Sequence, residues 1–238
     1  MTHRYVVAGV RVSSHLALGG LATNGYSDLD LHVDFSADAP DGSIPIGGAE
    51  GTVAHLHRDT TGFTISPTES VTERGWAVRQ VVPSVAAVLS RLTLHASGVL
   101  IHDTLTAFVG GSGSGKSTLA AALDAHGCPA VADDLAAVRF DPGPMAPAGP
   151  TLTPLGTVVF LERHDGAVTV EPLDPTSALH SLIRNGFGEH GSPDAWAFQF
   201  DAYLRLVEQV PHVRILVPDN LTRIDVTAAE VLTALADI

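Results

Sequence analysis

The stretch "FVGGSGSGKSTLAAAL", residues 108–123, decides the fold class of this chain. It fits the phosphate-loop pattern G-x-x-x-x-G-K-[ST], with Gly110, Gly115, Lys116 and Ser117 at the fixed positions. Lys116 is the only lysine among the 13 basic residues. Its compact ammonium fits inside a tight glycine loop, whereas a planar guanidinium is too bulky there. The pattern therefore predicts a binding site for a nucleoside triphosphate.

The loop would hold phosphate through its backbone. Glycines allow the N–H groups to converge on one phosphate, and the positive end of the following helix points at the same place. We expect Lys116 to bridge the β- and γ-phosphates and the Ser117 hydroxyl to ligate Mg²⁺, so the loop predicts a nucleoside triphosphate and Mg²⁺ as cofactors. The predicted nucleotide-binding residues are Gly110, Gly111, Ser112, Gly113, Ser114, Gly115, Lys116, Ser117 and Thr118.

Two aspartates follow the next apolar segment. In "PAVADDLAAV", Asp133 and Asp134 come directly after residues 130–132, which read as a buried strand. Functional groups gather at the carboxyl ends of strands in parallel α/β sheets. One carboxylate could accept the proton of an attacking hydroxyl while the other holds the metal. The alternative is that the pair only caps a turn.

Composition narrows the class of protein. The 238 residues carry a formal net charge of −13 and are 45% hydrophobic, which predicts a folded core and disfavours binding to nucleic acid or to anionic membranes. No apolar run approaches the roughly 20 residues that span a bilayer. The amino terminus lacks the layout of a secretory signal, and the single Cys128 excludes an internal disulfide. We expect a cytoplasmic location.

Two regions are predicted along the chain. Residues 1–92 read as a β-rich N-terminal region, with strands in "RYVVAGVRV" and "LDLHVDF" and a hairpin of "GTVAHLHRD" and "GFTISP" around a turn at residues 60–62. A helix is expected from Pro83 through Leu92. Residues 93–238 read as an α/β phosphate-loop core.

Within the core, two strands should meet at a turn near Asp103, and a helix should run from Lys116 to a stop at Gly127. Residues 141–154, rich in Pro, Gly and Ala, read as a loop or linker. "TVVFLER" and "VRILVP" read as buried strands. Three more helices are expected. One begins after a cap at Thr176 and Ser177, a second is "DAWAFQFDAYLRLVEQV", and the last begins after a cap at Thr227.

Three segments together carry a family resemblance: "LHASGVLI", "GGSGSGKST" and "GCPAVADDLAAV". They resemble the catalytic core of the HPr kinase/phosphorylase family, and more closely its short HPr-kinase-like members, some of which accompany ribosomally made peptides such as lasso peptides. The resemblance is specific from about Thr93 to Val138, and "LGTVVFLERHDGAVTVEPLDPTSALHSLIRN" extends it more loosely.

This resemblance implies a fold related to phosphoenolpyruvate carboxykinase, Mg²⁺-ATP as phosphate donor and a hydroxyl, usually of serine, as acceptor. It implies that Asp133 is the catalytic base, that Asp134 assists Ser117 at the metal, and that His95 lies near the transferred phosphate with Lys116. HPr kinases form oligomers, so a homo-oligomer is possible here. The predicted partner is a peptide or protein that carries a Ser or Thr hydroxyl, such as a ribosomal precursor peptide.

Two alternatives stay open. The acceptor could be a small hydroxylated metabolite, or the chain could be a nucleotide-binding scaffold or switch without phosphotransfer. The second alternative depends on one departure from the family pattern: the family carries a metal-binding glutamate in a glycine-containing stretch after the aspartates, and the segment after Phe140 does not match it. Glu162, at a strand end, matches a later family position better.

Other residues have weaker signals. His55 and His57 share one face of a strand, as two ligands of a metal would, but no third ligand is visible. Arg184, at a helix end, could reach a phosphate or an acidic acceptor, or could simply complement the helix dipole. We expect Cys128 to pack in the core. We expect the same of three aromatic residues on one helix, namely Trp196, Phe198 and Phe200.

Overall fold

The structure is a computed structural model, and it describes residues 2–7, 10–14, 29–33, 43–48, 51–58, 63–67, 92–140, 143–148, 151–186 and 193–236. The described strands of the N-terminal region are β1 (His3–Val7), β2 (Val10–Ser14), β3 (Leu29–Val33), β4 (Ile44–Gly48), β5 (Gly51–Arg58) and β6 (Phe63–Pro67). They form one six-stranded sheet in the order β1-β2-β3-β6-β5-β4.

This sheet confirms the β-rich character of the N-terminal region. β5 and β6 pair antiparallel, with His57 opposite Thr64, as the hairpin prediction requires. β1 and β2 divide "RYVVAGVRV" between two antiparallel strands. The turn at residues 60–62 and the helix expected over residues 83–91 lie outside the described residues. Leu92, placed at the end of that helix by its spacing, belongs to a strand instead, and the domain boundary at residues 92–93 stays a prediction.

The rest of the chain is α/β. Its strands are β7 (Leu92–Leu94), β8 (Ala96–Ile101), β9 (Thr104–Val109), β10 (Ala130–Ala132), β11 (Ala136–Val138), β12 (Met145–Ala148), β13 (Thr151–His164), β14 (Thr169–Pro172) and β15 (His212–Pro218). Its described helices, numbered here in chain order, are α1 (Lys116–Ala125), α2 (Pro175–Asn185), α3 (Pro193–Gln209) and α4 (Ile224–Leu235).

The central sheet is mixed, with the order β10-β8-β9-β13-β15-β14. β9, β13 and β15 run parallel to one another, which accounts for helices between them along the chain. β8 runs antiparallel both to β9 and to β10. The carboxyl ends of β9 and β10 therefore meet at the same edge of the sheet as the beginning of β8.

Helices cover both faces of this sheet, so its strands are buried and strongly apolar. On one face, α1 and α4 pack over alternate residues such as Phe108, Val159 and Ile215. On the other face, α2 and α3 pack over the intervening residues, such as Val109 and Phe160. This alternation follows from the two-residue period of a strand.

The predicted strand, glycine loop and helix are confirmed as β9, residues 110–117 and α1. The turn before β9 has left-handed backbone at His102 and Asp103, with φ of 49° and 61°, as tight hairpins between twisted strands prefer. α1 ends before Gly127, whose φ of +85° is the left-handed conformation that glycine adopts readily. These features could be predicted because each depends on residues that are close together in the sequence.

Two helix caps were predicted wrongly. α2 begins at Pro175, and its cap is the Asp174 carboxylate, which accepts hydrogen bonds from the backbone N–H groups of Thr176 and Ser177. Proline suits the first helical position because it has no N–H to satisfy. Thr227 does not cap α4, because that helix begins at Ile224 and Thr227 is buried inside it.

Residues 141–154 were also predicted wrongly as a loop. Met145–Ala148 form β12, which pairs antiparallel with the first residues of β13. Ala146 and Ala148 are buried in the core, while Pro147, which lies between them, is half-buried. Proline is tolerated there because β12 lies at an edge. Further strands that the sequence did not indicate are β4, β14 and the small sheet of β7 and β11.

Candidate functional site

The glycine loop, residues 110–117, needs glycine at particular positions. A Cβ atom on Gly110 would lie 2.8 Å from both the Leu161 carbonyl oxygen and Ser114 Oγ, so no larger residue fits without displacing backbone. Gly115 has a φ of +98°, and it precedes the first helical residue without any side-chain cap. The uncapped N–H groups at the start of α1 are therefore directed at the space that a phosphate would occupy.

Lys116 is held against the loop backbone. Its side chain is buried, and Nζ donates hydrogen bonds to the carbonyl oxygens of Gly110 and Gly111 at 2.8 and 3.1 Å. Burial lowers the pKa of Lys116, an effect opposed by the negative charges of Asp134 and Asp133. An ammonium has three donors, so one N–H remains for a phosphate oxygen.

Strand order brings the predicted acidic residues to the loop. Asp133 follows β10 and His95 precedes β8, and both positions lie at the sheet edge where β9 runs into the loop. The expectation of a buried strand before the aspartates was wrong, since Ala130 is exposed and the rest of β10 is half-buried. The reason is that β10 forms an outer strand, which also leaves Asp133 accessible.

Three side chains form the center of the site. Ser117 Oγ donates to Asp133 Oδ1 at 2.7 Å, and Ser97 Oγ donates to the same oxygen at 3.0 Å. The two hydroxyl oxygens lie 3.5 Å apart. No described residue donates to Asp133 Oδ2, so one carboxylate oxygen is fixed by two donors while the other stays open to a substrate.

Ser97 was not predicted as a site residue. It lies on β8 within the segment "HASG", and its side chain is fully buried. The one available signal was a hydroxyl in an otherwise apolar strand. Its contacts with residues 117 and 133 depend on the strand order, which the sequence did not reveal.

His95 and Asp134 form a second pair. His95 Nε2 lies 3.3 Å from Asp134 Oδ1, and both side chains are partly exposed. Asp134 has a φ of 69°, a left-handed conformation that aspartate tolerates better than most residues. The contact of Asp134 with His95 does not test its predicted role at the metal, which stays a prediction.

The pKa of His95 is lowered from its ordinary value of 6.5, first by burial and then by the positive charge of Lys116; Asp134 opposes both effects. Burial also lowers the pKa of His212. The unfolded chain therefore binds protons that the folded chain excludes. It follows that stability is fully present above pH 6.5 and decreases as pH falls below it.

We accordingly expect denaturant unfolding to give a lower free energy of unfolding at pH 5 than at pH 7.5. We expect the NMR titration midpoint of the His95 ring to lie below 6.5. Replacing His212 with Asn, which does not titrate, should flatten part of the pH dependence. A His95 midpoint above 6.5 would show that the carboxylates outweigh burial and Lys116.

The donor set fits magnesium. Mg²⁺ prefers oxygen ligands and commonly binds through one or two carboxylates, water and substrate phosphates. Ser117 Oγ and Asp133 Oδ1 supply two such oxygens 2.7 Å apart at an exposed position. Within the described part of the chain, no group of three or more His, Cys, Asp or Glu side chains could hold a metal ion, so phosphate oxygens would have to complete the ligand set.

Ser97 offers a test of the central cluster. If the site transfers phosphate from ATP, replacing Ser97 with Ala should lower the rate by about tenfold, because a hydrogen bond to a carboxylate contributes roughly 1.5 kcal/mol. The KM for ATP should then hardly change. In an Asp133→Asn background the same replacement should have little further effect, and a full additional tenfold loss there would show that Ser97 does not act through Asp133.

Arg163 is a second residue that the sequence did not single out. It follows Glu162 at the carboxyl end of β13, on the opposite flank of the loop from Asp133. Its Nε donates to the Ser114 carbonyl oxygen at 3.2 Å, and its guanidinium pairs with Asp219 at the end of β15. Arg163 thus connects the glycine loop, through Ser114, to Asp219 at the end of β15.

The remaining candidates have mixed outcomes. Cys128 packs against the core, as predicted. His55 and His57 lie on β5, and no third ligand is described near them.

The expectation of core packing was wrong for Trp196 and Phe200, which are 42% and 43% exposed. Phe198 does pack against the core. The two exposed positions are four residues apart, on the face of α3 that points away from the sheet.

Comparisons with known proteins give a loose structural likeness. No protein-family model matches the chain, and no curated protein matches its sequence. Among solved structures, the HPr(Ser) kinase/phosphatase from Coxiella burnetii is similar over 61% of this chain and 93% of its own, at 13% sequence identity and a TM-score of 0.33. None of the helices within the described residues is long and apolar enough to cross a membrane.

Proposed function

We propose that this chain is a Mg²⁺-ATP-dependent phosphotransferase that moves the γ-phosphate of ATP to a Ser or Thr hydroxyl of a peptide or protein. The observation that carries the proposal is the contact of Asp133 with Ser117, the residue at the metal-ligating position of the loop. A carboxylate with one oxygen held beside that hydroxyl and the other open could serve as a catalytic base.

The chain's own residues account for the main steps. The loop N–H groups and the start of α1 would orient the phosphates, and the third N–H of Lys116 would stabilise charge on the transferred group. Asp133 Oδ2 would take the proton as the acceptor oxygen bonds to phosphorus. The bond from the γ-phosphorus to the bridging oxygen breaks, and ADP leaves with that electron pair. Mg²⁺, held by Ser117 and Asp133 Oδ1 with Asp134 assisting, would neutralise phosphate charge.

His95 would lie beside the transferred phosphate as a neutral ring, since its pKa is lowered. A neutral imidazole adds no second positive charge next to Lys116. Its single N–H, on Nε2, would be donated to Asp134, and Nδ1 would accept a hydrogen bond, for example from the acceptor hydroxyl. Asp134, at 3.3 Å, would orient the ring.

The acceptor class can be identified with a panel. We expect γ-labelled ATP and Mg²⁺ to label at least one of a set of Ser- or Thr-containing peptides. If only small hydroxylated metabolites are labelled, the acceptor is a metabolite and not a peptide. Tight ATP binding with no transfer to any acceptor would favour the second candidate, a nucleotide-binding scaffold or switch. That candidate is favoured because the segment after Phe140, which contains β12, does not match the family's glutamate stretch.

A further inference from the structure

A cavity of about 450 Å³ lies under the glycine loop, on the opposite side from Asp133. It is bounded by the loop, by the carboxyl-terminal part of β13, by Arg214 near the beginning of β15 and by the last turn of α2. Residues that line it include Gly110, Gly111, Glu162, Arg184, Asn185 and Arg214. Its volume falls in the range of small-molecule sites, which is roughly 300–1,000 Å³.

Several positively charged side chains line the cavity, although the chain as a whole is acidic. Three of its lining residues are arginines, although the whole chain has 13 basic residues against 26 acidic ones. Two of the three are already paired: Arg163 with Asp219, and Arg214 with Glu162 and Glu171 at 3.6 and 3.4 Å. These pairs hold the guanidinium groups in place but leave little charge for a ligand.

Arg184 differs from the other two. It lies in the last turn of α2, its side chain is exposed, and no carboxylate of the described residues lies within ion-pair distance of it. Arg214 Nε is buried and lies 3.6 Å from Glu162 Oε1, beyond hydrogen-bond distance. A guanidinium presents its donors in a fork that matches carboxylate and phosphate oxygens. Among the described residues, Arg184 is thus the arginine of this cavity without a carboxylate partner, and its charge suits an anion.

The glycine loop forms part of the wall of this cavity. Gly110 and Gly111 line it, and their carbonyl oxygens accept the hydrogen bonds of Lys116 Nζ. Lys116 itself does not line the cavity, so these two glycines separate a ligand there from the lysine. An acceptor whose hydroxyl lies over the loop, with Asp133 on one side, could place another of its groups in the cavity on the other side.

We propose that the cavity binds an anionic group of the phosphate acceptor, a carboxylate or a phosphate, with Arg184 as its main cationic contact. The inference rests on the proposed function and names its substrate class: a hydroxyl compound or peptide with an anionic group close to the hydroxyl. The nucleotide has its own phosphate ligands in the loop and at the start of α1, and does not need Arg184.

The test measures binding, so that it does not depend on transfer. The chain is saturated with Mg²⁺ and a non-hydrolysable ATP analogue and titrated by calorimetry with matched acceptor pairs. The pairs are N-acetylserine and N-acetylserinamide, glycerate and glycerol, and acetyl-Ser-Asp-amide and acetyl-Ser-Asn-amide. We expect the anionic member of at least one pair to bind about tenfold more tightly. Arg184→Gln should abolish this preference.

The matched control is Arg223→Gln. Arg223 is also an exposed arginine, but it does not line the cavity, and its contact with Glu230 is 3.9 Å long. The control should keep the preference for anions. Equal binding of every pair, or a preference that survives Arg184→Gln, would overturn the proposal. So would a loss of affinity for the ATP analogue in Arg184→Gln as large as the loss for the acceptor, because the cavity would then belong to the nucleotide.

If wild type fails to transfer phosphate but keeps an anion preference that depends on Arg184, the binding site stands and the proposed reaction fails. If wild type transfers phosphate without any such preference, the reaction stands and the acceptor site fails. The two ideas can therefore be rejected separately.

Discussion

Lys116→Met is expected to lower single-turnover phosphate transfer by at least about 100-fold, the loss typical of removing a preorganised charge at a transferring group. Methionine keeps the length and most of the apolar volume of the side chain but removes the only ammonium next to the loop. The affinity for ATP should fall as well, because the same charge contacts the bound phosphates. The measurement is single-turnover transfer from γ-labelled ATP.

Lys116→Arg is the matched variant for charge. It keeps the positive charge, but a planar guanidinium must fit where an ammonium is buried against the carbonyl oxygens of Gly110 and Gly111 at 2.8 and 3.1 Å. We expect it to lose most of the activity too. Both variants should keep the wild-type circular dichroism spectrum, which separates a local effect from unfolding. Transfer by Lys116→Met within a few-fold of wild type would contradict the role of this lysine.

Asp133→Asn is expected to lower transfer by about 100- to 10,000-fold, the range for a general base in the transition state. The amide keeps the shape of the side chain, and its oxygen can still accept from Ser97 and Ser117. The amide oxygen can also still ligate Mg²⁺, although more weakly than a carboxylate does. The affinity for the ATP analogue should therefore fall only modestly, and most of the loss should appear in kcat.

Asp165→Asn is the control for loss of one negative charge, since Asp165 is exposed in the turn after β13. It should transfer phosphate at the wild-type rate. Asp134→Asn tests the division of labour between the two aspartates. A larger loss of kcat in Asp134→Asn than in Asp133→Asn would assign the base to the residue beside His95.

Local features of the site could be predicted from the sequence, because each depends on neighbouring residues. The glycine pattern, the strand before it and the helix after it lie within 22 residues, from Thr104 to Ala125. The turn at His102 and Asp103 is similarly local. Glycine and proline were misleading in residues 141–154, where Pro147 alternates with two buried alanines on an edge strand.

Features that depend on strand order could not be predicted. The sequence gives no signal that β8 lies between β9 and β10, and that order alone brings Ser97 to residues 117 and 133. The cavity beside the glycine loop could not be predicted either, because Arg184 and Arg214 come from separate elements that meet only in the folded chain. The exposed Trp196 shows the limit of reading hydrophobicity alone as burial.

The most direct test of the central claim is one single-turnover experiment. Wild-type chain is mixed with γ-labelled ATP, Mg²⁺ and the acceptor panel, and ADP and labelled acceptor are quantified together. A hydroxyl phosphotransferase predicts equal amounts of ADP and labelled acceptor, with neither formed when Mg²⁺ is removed by a chelator. ATP that stays bound and intact, with no label on any acceptor, would contradict the account and leave a nucleotide-binding module.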